Sequence, residues 1–330
     1  MLTPAYKLTI GKKVVDTIHQ PAASNVVDLT VKLDTDTPAD SLTLTLGQVG
    51  DLKPARNDAC TVQMGYADDG NLTQVMTGKV VAIEPGLKIK RVVGYTGAEI
   101  LLRSFLDQTY ESRSAGAIVK DLASKAKVAV SNVEDGIEFP AYVIDGRRSF
   151  YQHMRDLADL CGFDLYFNNE DRLAFEKFTT GKTVHSFEYA KDILDIDVLE
   201  TPPLAGVVEA WGESPTGTKG PDSWAWLTKN FSSSKGESGS GKPKLLLEIT
   251  ALRTKAAAQA AAAADQVRIK RHTVRGRLLS VGHPEVKLGD AVKLKSMPDT
   301  SLNKNFQVRT VTHRINKPGG FTTEIGFEAI

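Results

Sequence analysis

The chain contains few side chains whose type and spacing favour catalysis or metal binding. Its histidines lie at positions 19, 153, 185, 272, 283 and 313, and none of them is spaced like a pair of zinc ligands on one helix face. The only cysteines, Cys60 and Cys161, are too few for a zinc site or a disulfide framework. We predict no metal site, two buried cysteine side chains, and a core position for His313 with a hydrogen bond to its ring.

One glycine-rich segment satisfies part of a phosphate-binding loop. The segment from Gly236 to Lys242 has the spacing G-x-x-x-x-G-K, in which backbone N–H groups surround phosphates. The next residue, Pro243, has no hydroxyl group for magnesium and disfavours helical geometry at Lys242. No strand-to-helix pattern surrounds the match, so we predict neither a nucleotide site nor another cofactor site.

The basic residues form one cluster, which comprises Arg268, Lys270, Arg271, His272, Arg275 and Arg277. The first of these charges follow a helical pattern, and a helix C-terminus favours cations. Lysines and arginines number 41 against 40 acidic residues, so no overall field attracts a polyanion. We interpret the cluster as a solvated face. If it has a function, it lines a channel or meets an acidic neighbour.

Length and hydropathy restrict the class of protein. A chain of 330 residues is long enough for two or three compact units. No apolar run approaches the roughly 20 residues that a membrane-spanning helix needs, and the N-terminal residues lack the apolar core of a signal peptide. We therefore expect no membrane anchor and no specific nucleic-acid partner.

The clearest local pattern is a helix, a stop and a hairpin between Ser149 and Lys177. Ser149 and Gln152 have the spacing of a capping box, so the helix starts at Ser149. Its apolar positions share one face, while His153 falls on the polar side. Gly162 ends the helix in a left-handed conformation, and residues 163–167 and 172–178 read as two strands joined by a polar turn. A second helix, capped by Ser114, precedes this one.

Strand patterns dominate on both sides of this block. Residues 1–97 alternate between apolar and polar side chains with frequent turns, which predicts a small barrel or curled sheet. Within it, Gly78 marks a bulge or bend at a barrel corner. Residues 181–330 return to strands, interrupted by a flexible insertion at about 212–243 that contains Trp224 and Trp226, and by an alanine-rich helix at about 250–270.

The expected fold is thus mainly β, with two small β-barrel domains (1–97 and 181–330) flanking an α+β domain (98–180). The last stretch carries the most specific spacing, in the order G-x-P, G-D-x-V, N-x-x-F-x-V and H. Its residues are Gly282, Pro284, Gly289, Asp290, Val292, Asn303, Phe306, Val308, Val311 and His313.

This ending, with the capped helix before Gly162 and the strand around Gly78, resembles the phage late control protein D family. These proteins are baseplate hubs of contractile tails and are related to the trunk of VgrG proteins. The departure is small: Val286 stands at the first apolar place. The resemblance marks Gly78, Gly162, Gly282, Pro284, Gly289, Asp290, Phe306, Val308 and His313 as structural positions.

The resemblance implies a non-enzymatic structural protein. Three copies would form a ring whose two barrels per chain match a sixfold tail tube on one side and a threefold spike on the other. The implied partners are the tail tube protein and a separate spike protein, because the sequence stops at Ile330 just after the second barrel. Tape-measure and baseplate wedge proteins are further implied neighbours. The implied location is the baseplate of a virion or tailocin tail, assembled in the host cytoplasm.

Two other functions remain open from the sequence. One is a tail-associated cell-wall hydrolase, for which no pair of carboxylates can be placed at the necessary separation from sequence alone. The other is a β-barrel module that binds carbohydrate or nucleic acid.

Overall fold

The N-terminal residues alternate between buried and exposed side chains, and they form seven strands. The computed structural model describes residues 2–21, 24–50, 52–179, 183–212 and 235–330. The strands are β1 (Pro4–Ile10), β2 (Lys13–Asp16), β3 (Val26–Asp34), β4 (Ser41–Gly47), β5 (Ala59–Tyr66), β6 (Leu72–Pro85) and β7 (Ile89–Tyr95).

The middle of the chain adds three helices between short strands. These elements are α1 (Ala98–Leu102), β8 (Gln108–Ser114), α2 (Ala115–Lys125), β9 (Val130–Val133), β10 (Glu138–Ile144), α3 (Phe150–Cys161), β11 (Asp164–Phe167) and β12 (Leu173–Glu176).

The C-terminal part returns to strands around one long helix. Its elements are β13 (Val184–Glu188), β14 (Ile193–Glu200), β15 (Val207–Trp211), β16 (Gly236–Gly239), β17 (Lys244–Glu248), α4 (Lys255–Arg271), β18 (Val274–Val281), β19 (Ala291–Lys295), β20 (Asn305–Asn316) and β21 (Gly320–Glu328). The predicted mainly β class is therefore confirmed.

Strands from both ends of the chain join in one 13-stranded sheet. Its main path runs β14-β18-β21-β20-β3-β4-β7-β6-β5-β1-β2, and β19 and then β13 branch from β20. The link between the two halves is the antiparallel pairing of β20 with β3, which places His313 opposite Val31. The predicted division into two barrels and an α+β domain remains a prediction.

Two hydrophobic cores lie in the molecule. The first fills the large sheet and combines side chains from both ends of the chain, such as Leu44 and Phe306. The second surrounds the helices, where Phe139 and Met154 pack against alanines of α4. The alanine-rich helix thus packs with the middle of the chain, because its small side chains allow close approach to α3 and β15.

Helix α3 forms for the reasons that the sequence gives. The Ser149 hydroxyl accepts the backbone N–H of Gln152, whose side chain caps Ser149 in return, and Gly162 ends the helix at φ +68°. The predicted helix start is confirmed. The predicted polar position of His153 is wrong, because β10 and the loop after it cover that face and leave the imidazole 2% exposed.

Helix α4 begins later than its alanine content suggests. The Thr254 hydroxyl accepts the backbone N–H of Ala257, so the helix runs from Lys255 to Arg271 instead of starting near Thr250. Among the described helices, none is long and apolar enough to cross a membrane.

Part of the predicted flexible insertion lies in an ordered strand. Residues Gly236–Gly239 form β16, which pairs with β15, and β17 follows on the other side of β15. The phosphate-loop match therefore falls on a strand and a turn. Trp224 and Trp226 of the predicted insertion lie outside the described residues.

Candidate assembly surfaces

The glycine and proline of the C-terminal motif lie where the two ends of the chain meet. The carbonyl oxygen of Gly282 accepts a hydrogen bond from the Tyr66 hydroxyl at 3.1 Å. A Cβ atom at position 282 would lie 2.1 Å from the ring of Phe321, so the close packing requires glycine. Pro284 occupies the half-buried turn that follows. Through the hydrogen bond from Tyr66, this part of the motif joins β5 to the C-terminal strands.

His313 is fully buried in the same joint. Its Nδ1 atom lies 3.0 Å from the Thr323 hydroxyl, which also accepts the backbone N–H of His283 at 2.8 Å. Burial lowers the pKa of His313 to about 4, so the ring is neutral near pH 7. The residue is a hydrogen-bonded core histidine, as predicted.

Asp290 and Gly289 shape the turn before β19. The Asp290 carboxylate lies 2.9 Å from His185 Nε2. The backbone carbonyl oxygen of Asp290 accepts the backbone N–H of Val308 at 3.0 Å. Gly289 has φ +84°, and a Cβ atom there would lie 2.7 Å from the Tyr166 hydroxyl. The turn thus touches both the large sheet and the hairpin that follows α3.

The remaining motif positions are also sites of close packing. The rings of Phe306 and Phe327 are 4.9 Å apart in the core. A Cβ atom on Gly78 would lie 2.3 Å from the carbonyl oxygen of Tyr95, which favours a backbone-contact role, and Gly162 caps α3 as described above. That all nine residues are structural positions of the resembled family stays a prediction.

A charge lock, defined as Asp36, Asp164, Arg271 and Arg309, joins the large sheet to the helices. Arg309 on β20 donates to Asp164 on β11 and to Asp36 in the β3–β4 loop, both at 2.6 Å. The second oxygen of Asp164 accepts the Gln307 amide at 2.5 Å. Arg271 at the end of α4 lies 3.7 Å from Asp164. Three chain regions meet at one buried carboxylate.

The electrostatics of the lock favour the charged states of Asp36 and Arg309. Burial acts to raise the pKa of Asp36, but the charges of Arg309 and Arg155 hold it below the usual range. Burial likewise acts against the charge of Arg309, yet Asp164 and Asp36 raise its pKa. Removing Arg309 would leave the buried Asp164 carboxylate without its main partner.

The lock corrects part of the basic-cluster interpretation. Arg271 is largely buried, with a side chain 13% exposed, instead of solvated. Arg277 does lie on a wet face, where it bridges Asp197 at 2.8 Å and Glu324 at 3.2 Å. Both arginines form ion pairs with acidic side chains of the same chain.

The main path of the large sheet ends in two open edges of different character, and β13, which pairs only with β19 among the described residues, forms a further edge on the branch. Among the described residues, β14 pairs only with β18 at one end, and β2 pairs only with β1 at the other. β14 carries exposed Leu199 beside the acidic side chain of Asp197, whereas β2 carries exposed Val14 beside Lys13. Open edges of this kind present unpaired backbone groups to another chain.

A second exposed surface lies at the end of the β4 and β7 strands. Val49 is 88% and Leu87 100% exposed, and Ile89 is half exposed. The pairing of Gly47 with Ile89 brings the two loops together. Clustered apolar tips of this kind are typical of interaction sites.

The described residues contain no group of three or more metal-ligating side chains. Cys60 is buried and Cys161 partly buried, and neither forms a disulfide. Burial raises the pKa of Cys60 to about 12 and that of Cys161 to about 11, so both are unreactive thiols near neutral pH.

No family model matches the chain, and no curated protein matches its sequence. The prophage MuSo2 43 kDa tail protein of Shewanella oneidensis has a TM-score of 0.75 at 12% identity, covering 99% of this chain and 98% of that one. A tail protein of Neisseria meningitidis has a TM-score of 0.73 at 15% identity, covering 99% and 96%.

An Escherichia coli type VI secretion component, described as structurally similar to T4 bacteriophage tail proteins, has a TM-score of 0.61 at 9% identity, covering 98% of this chain and 77% of that one. The chain therefore has the fold that these phage tail and type VI secretion proteins share. The resemblance to the hub and VgrG trunk fold is confirmed at the level of fold.

Proposed function

We propose that this chain is a structural, non-enzymatic baseplate hub of a contractile phage tail or tailocin. Three copies form a ring that joins the sixfold tail tube to the threefold central spike. The supporting observation is the fold, which matches two tail proteins over nearly the full length of both chains.

The open sheet edges at β14 and β2 support a ring. A contact between the β14 edge of one copy and the β2 edge of the next is heterologous, and heterologous contacts close into rings when the rotation allows it. The acidic side chains of β14 complement Lys12 and Lys13 at β2, and Leu199 and Val14 give each edge an apolar contact.

The partners of the proposed hub are the tail tube protein and a separate spike protein, with tape-measure and baseplate wedge proteins as neighbours. We place the protein in the tail baseplate of the particle after assembly in the host cytoplasm. The exposed tip at Val49 and Leu87 is a contact surface of suitable character for such a neighbour.

The solution mass of the purified chain tests the proposal. Light scattering over a concentration series should give a species of three chain masses, each of 35.8 kDa. If the chain is monomeric alone, adding the candidate spike protein should produce the trimer. A monomer at every concentration, with and without the spike, would overturn the hub assignment.

Edge variants test where the subunits meet. Leu199→Lys on β14 and Val14→Lys on β2 should each weaken the trimer by about tenfold or more, because each buries a charge in the contact. Leu204→Lys is the matched control, since Leu204 is 72% exposed and lies outside both strands. Equal trimerisation of all three variants would locate the interface elsewhere.

The two alternative functions have direct tests. A clear zone in a peptidoglycan zymogram would favour the cell-wall hydrolase. Salt-dependent retention on immobilised DNA, or retention on immobilised polysaccharide, would favour the binding module.

A further inference from the structure

A cavity of about 620 Å³ opens between α3 and α4. Its walls include part of β10, the loop after β17 and the facing sides of both helices. The volume lies within the range of about 300–1,000 Å³ that is typical of ligand sites. We refer to it as the α3–α4 cavity.

Two buried polar atoms in the wall of this cavity have no partner in the protein. His153 is 2% and Asp265 5% exposed, and both line the cavity. His153 Nδ1 and Asp265 Oδ2 make no hydrogen bond. A buried polar atom without a partner is unfavourable, so two such residues in the wall of one cavity point to a ligand that forms hydrogen bonds.

The other contacts of these two side chains define what the ligand must supply. His153 Nε2 lies 3.2 Å from the backbone nitrogen of Asp145 and 3.0 Å from its carbonyl oxygen, so Nδ1 is a donor in one tautomer and an acceptor in the other. Asp265 Oδ1 already accepts from Arg268, and Oδ2 remains an acceptor in either case. Asp265 Oδ2 therefore matches an N–H donor.

The unpartnered oxygen of Asp265 favours a charged donor, because a hydrogen bond to a carboxylate is stronger when its donor is a cation. Each of the four lining carboxylates, Asp145, Asp156, Asp159 and Asp265, is paired with an arginine, and Asp265 alone among them has a buried oxygen without a hydrogen bond. Arg148 is held by Asp156 at 2.5 Å, so it is not free to bind an anion. Leu160, Ile249 and Ala261 add apolar surface for the stem of a long side chain.

The backbone around the opening favours a polypeptide over a free amine. Three consecutive residues of β10, Ala141, Tyr142 and Val143, line the cavity. Successive side chains of a strand point to opposite faces, so the cavity follows the strand's edge. Among the described residues β10 pairs only with β8, and its other edge is open. Val143, 62% exposed, adds an apolar contact at the opening.

We propose that the α3–α4 cavity binds a lysine or arginine side chain of an extended segment from a partner protein. The segment lies along the open edge of β10, and its cationic group donates to Asp265 Oδ2. This site does not depend on the hub assignment.

Fluorescence anisotropy with a labelled peptide, acetyl-Thr-Val-Lys-Val-Thr-amide, tests the proposal. Matched peptides replace its lysine by arginine, norleucine or glutamate. We expect saturable binding of the lysine and arginine peptides to the full chain, and binding at least about tenfold weaker for the norleucine and glutamate peptides. Equal binding of the lysine and norleucine peptides would overturn the cationic site.

Two variants locate the site. Asp265→Asn removes the negative charge and should weaken binding of the lysine peptide by about tenfold. Thr250→Trp changes an exposed residue at the opening, so it should block binding without disturbing the fold. Asp69→Asn, an exposed carboxylate elsewhere, is the control and should bind like the unmodified chain.

Two results would overturn the proposal. The first is no saturable binding up to about millimolar peptide, which would mean that water satisfies His153 Nδ1 and Asp265 Oδ2. The second is undiminished binding in both cavity variants. A trimeric chain that binds no peptide would refute this site and leave the hub proposal intact. A chain that stays monomeric with and without the spike protein but binds the lysine peptide would do the reverse.

Discussion

The charge lock and the α3–α4 cavity lie near the same two helices and use the same kinds of side chain, yet their buried carboxylates differ. Both oxygens of Asp164 accept hydrogen bonds, from Arg309 and from Gln307. Asp265 uses one oxygen for Arg268, and its second oxygen has no partner. The first carboxylate is complete within the chain, whereas the second lacks a donor.

This difference separates a structural site from a binding site. A carboxylate whose bonds are all internal fixes the positions of the elements that supply them, as Asp164 does for β11, β20 and α4. A buried acceptor that is left open beside a cavity favours a donor from outside. Residue type and burial alone would not distinguish Asp164 from Asp265.

Breaking the lock should have the largest effect. Arg309→Met leaves Asp164 and Asp36 without their main partner, so we expect a loss of about 3–5 kcal/mol in the free energy of unfolding. Urea denaturation followed by circular dichroism measures it. Arg277→Met removes an exposed network of ion pairs, and it should lower the free energy of unfolding by no more than about 1 kcal/mol. Similar losses in the two variants would show that the lock is not a special contact.

The buried His313 extends the comparison to pH. The pKa of His313 is about 4 in the folded chain against 6.5 for the free side chain, so the unfolded state binds more protons between these values. Stability should therefore fall as pH decreases from about 6.5 to about 4, with a slope up to about 1.4 kcal/mol per pH unit.

The measurement is a set of urea denaturation curves across this pH range. His313→Gln should flatten the slope whatever its effect on absolute stability, while the exposed His19→Gln should leave the slope unchanged. An unchanged slope in His313→Gln would assign the pH dependence to other groups.

A change where the two helices meet should perturb both regions. Gly162 has φ +68°, and a Cβ atom there would lie 2.9 Å from the Cβ of Ala264 on α4. Gly162→Ala should therefore lower stability by about 2 kcal/mol through backbone strain and displacement of α4, as thermal unfolding would measure. Gly70→Ala is the control, because it has a similar φ of +66° but open space around it. Equal losses would assign the whole effect to the backbone.

The smallest effect should come from the incomplete carboxylate. Asp265→Asn retains an acceptor for Arg268, which is half exposed and can be hydrated, so we expect a change within about 1 kcal/mol. The same urea assay as for Arg309→Met measures it. A loss as large as that of Arg309→Met would make Asp265 a second structural lock and remove the contrast between the two regions.

Local structure was largely readable from the sequence. Ser149, Gln152 and Gly162 define the ends of α3, because a cap depends only on residues within one turn of the helix. Alternating side chains likewise predicted β20 and β21. The start of α4 was missed, because the Thr254 cap was overlooked within a run of helix-forming residues.

The charge lock was not readable in this way. Gln307 and Arg309 alternate with buried apolar residues of β20 and so resemble the wet face of a strand. They are buried because β11 and α4 cover that face, and the covering elements lie more than 30 residues away in sequence. His153 was misplaced for the same reason, since β10 covers the polar side of α3.

The sequence by itself determined the strands, the capped helices and the tight glycine turns, since these depend on neighbouring residues and on backbone sterics. It also carried the spacing that resembles the hub fold. Only the tertiary structure decided that both ends of the chain share one sheet. It also decided that both carboxylate oxygens of Asp164 have hydrogen-bond partners, whereas one oxygen of Asp265 has none. The reason is physical: hydrogen-bond satisfaction and burial depend on residues brought together from distant positions, which no local pattern records.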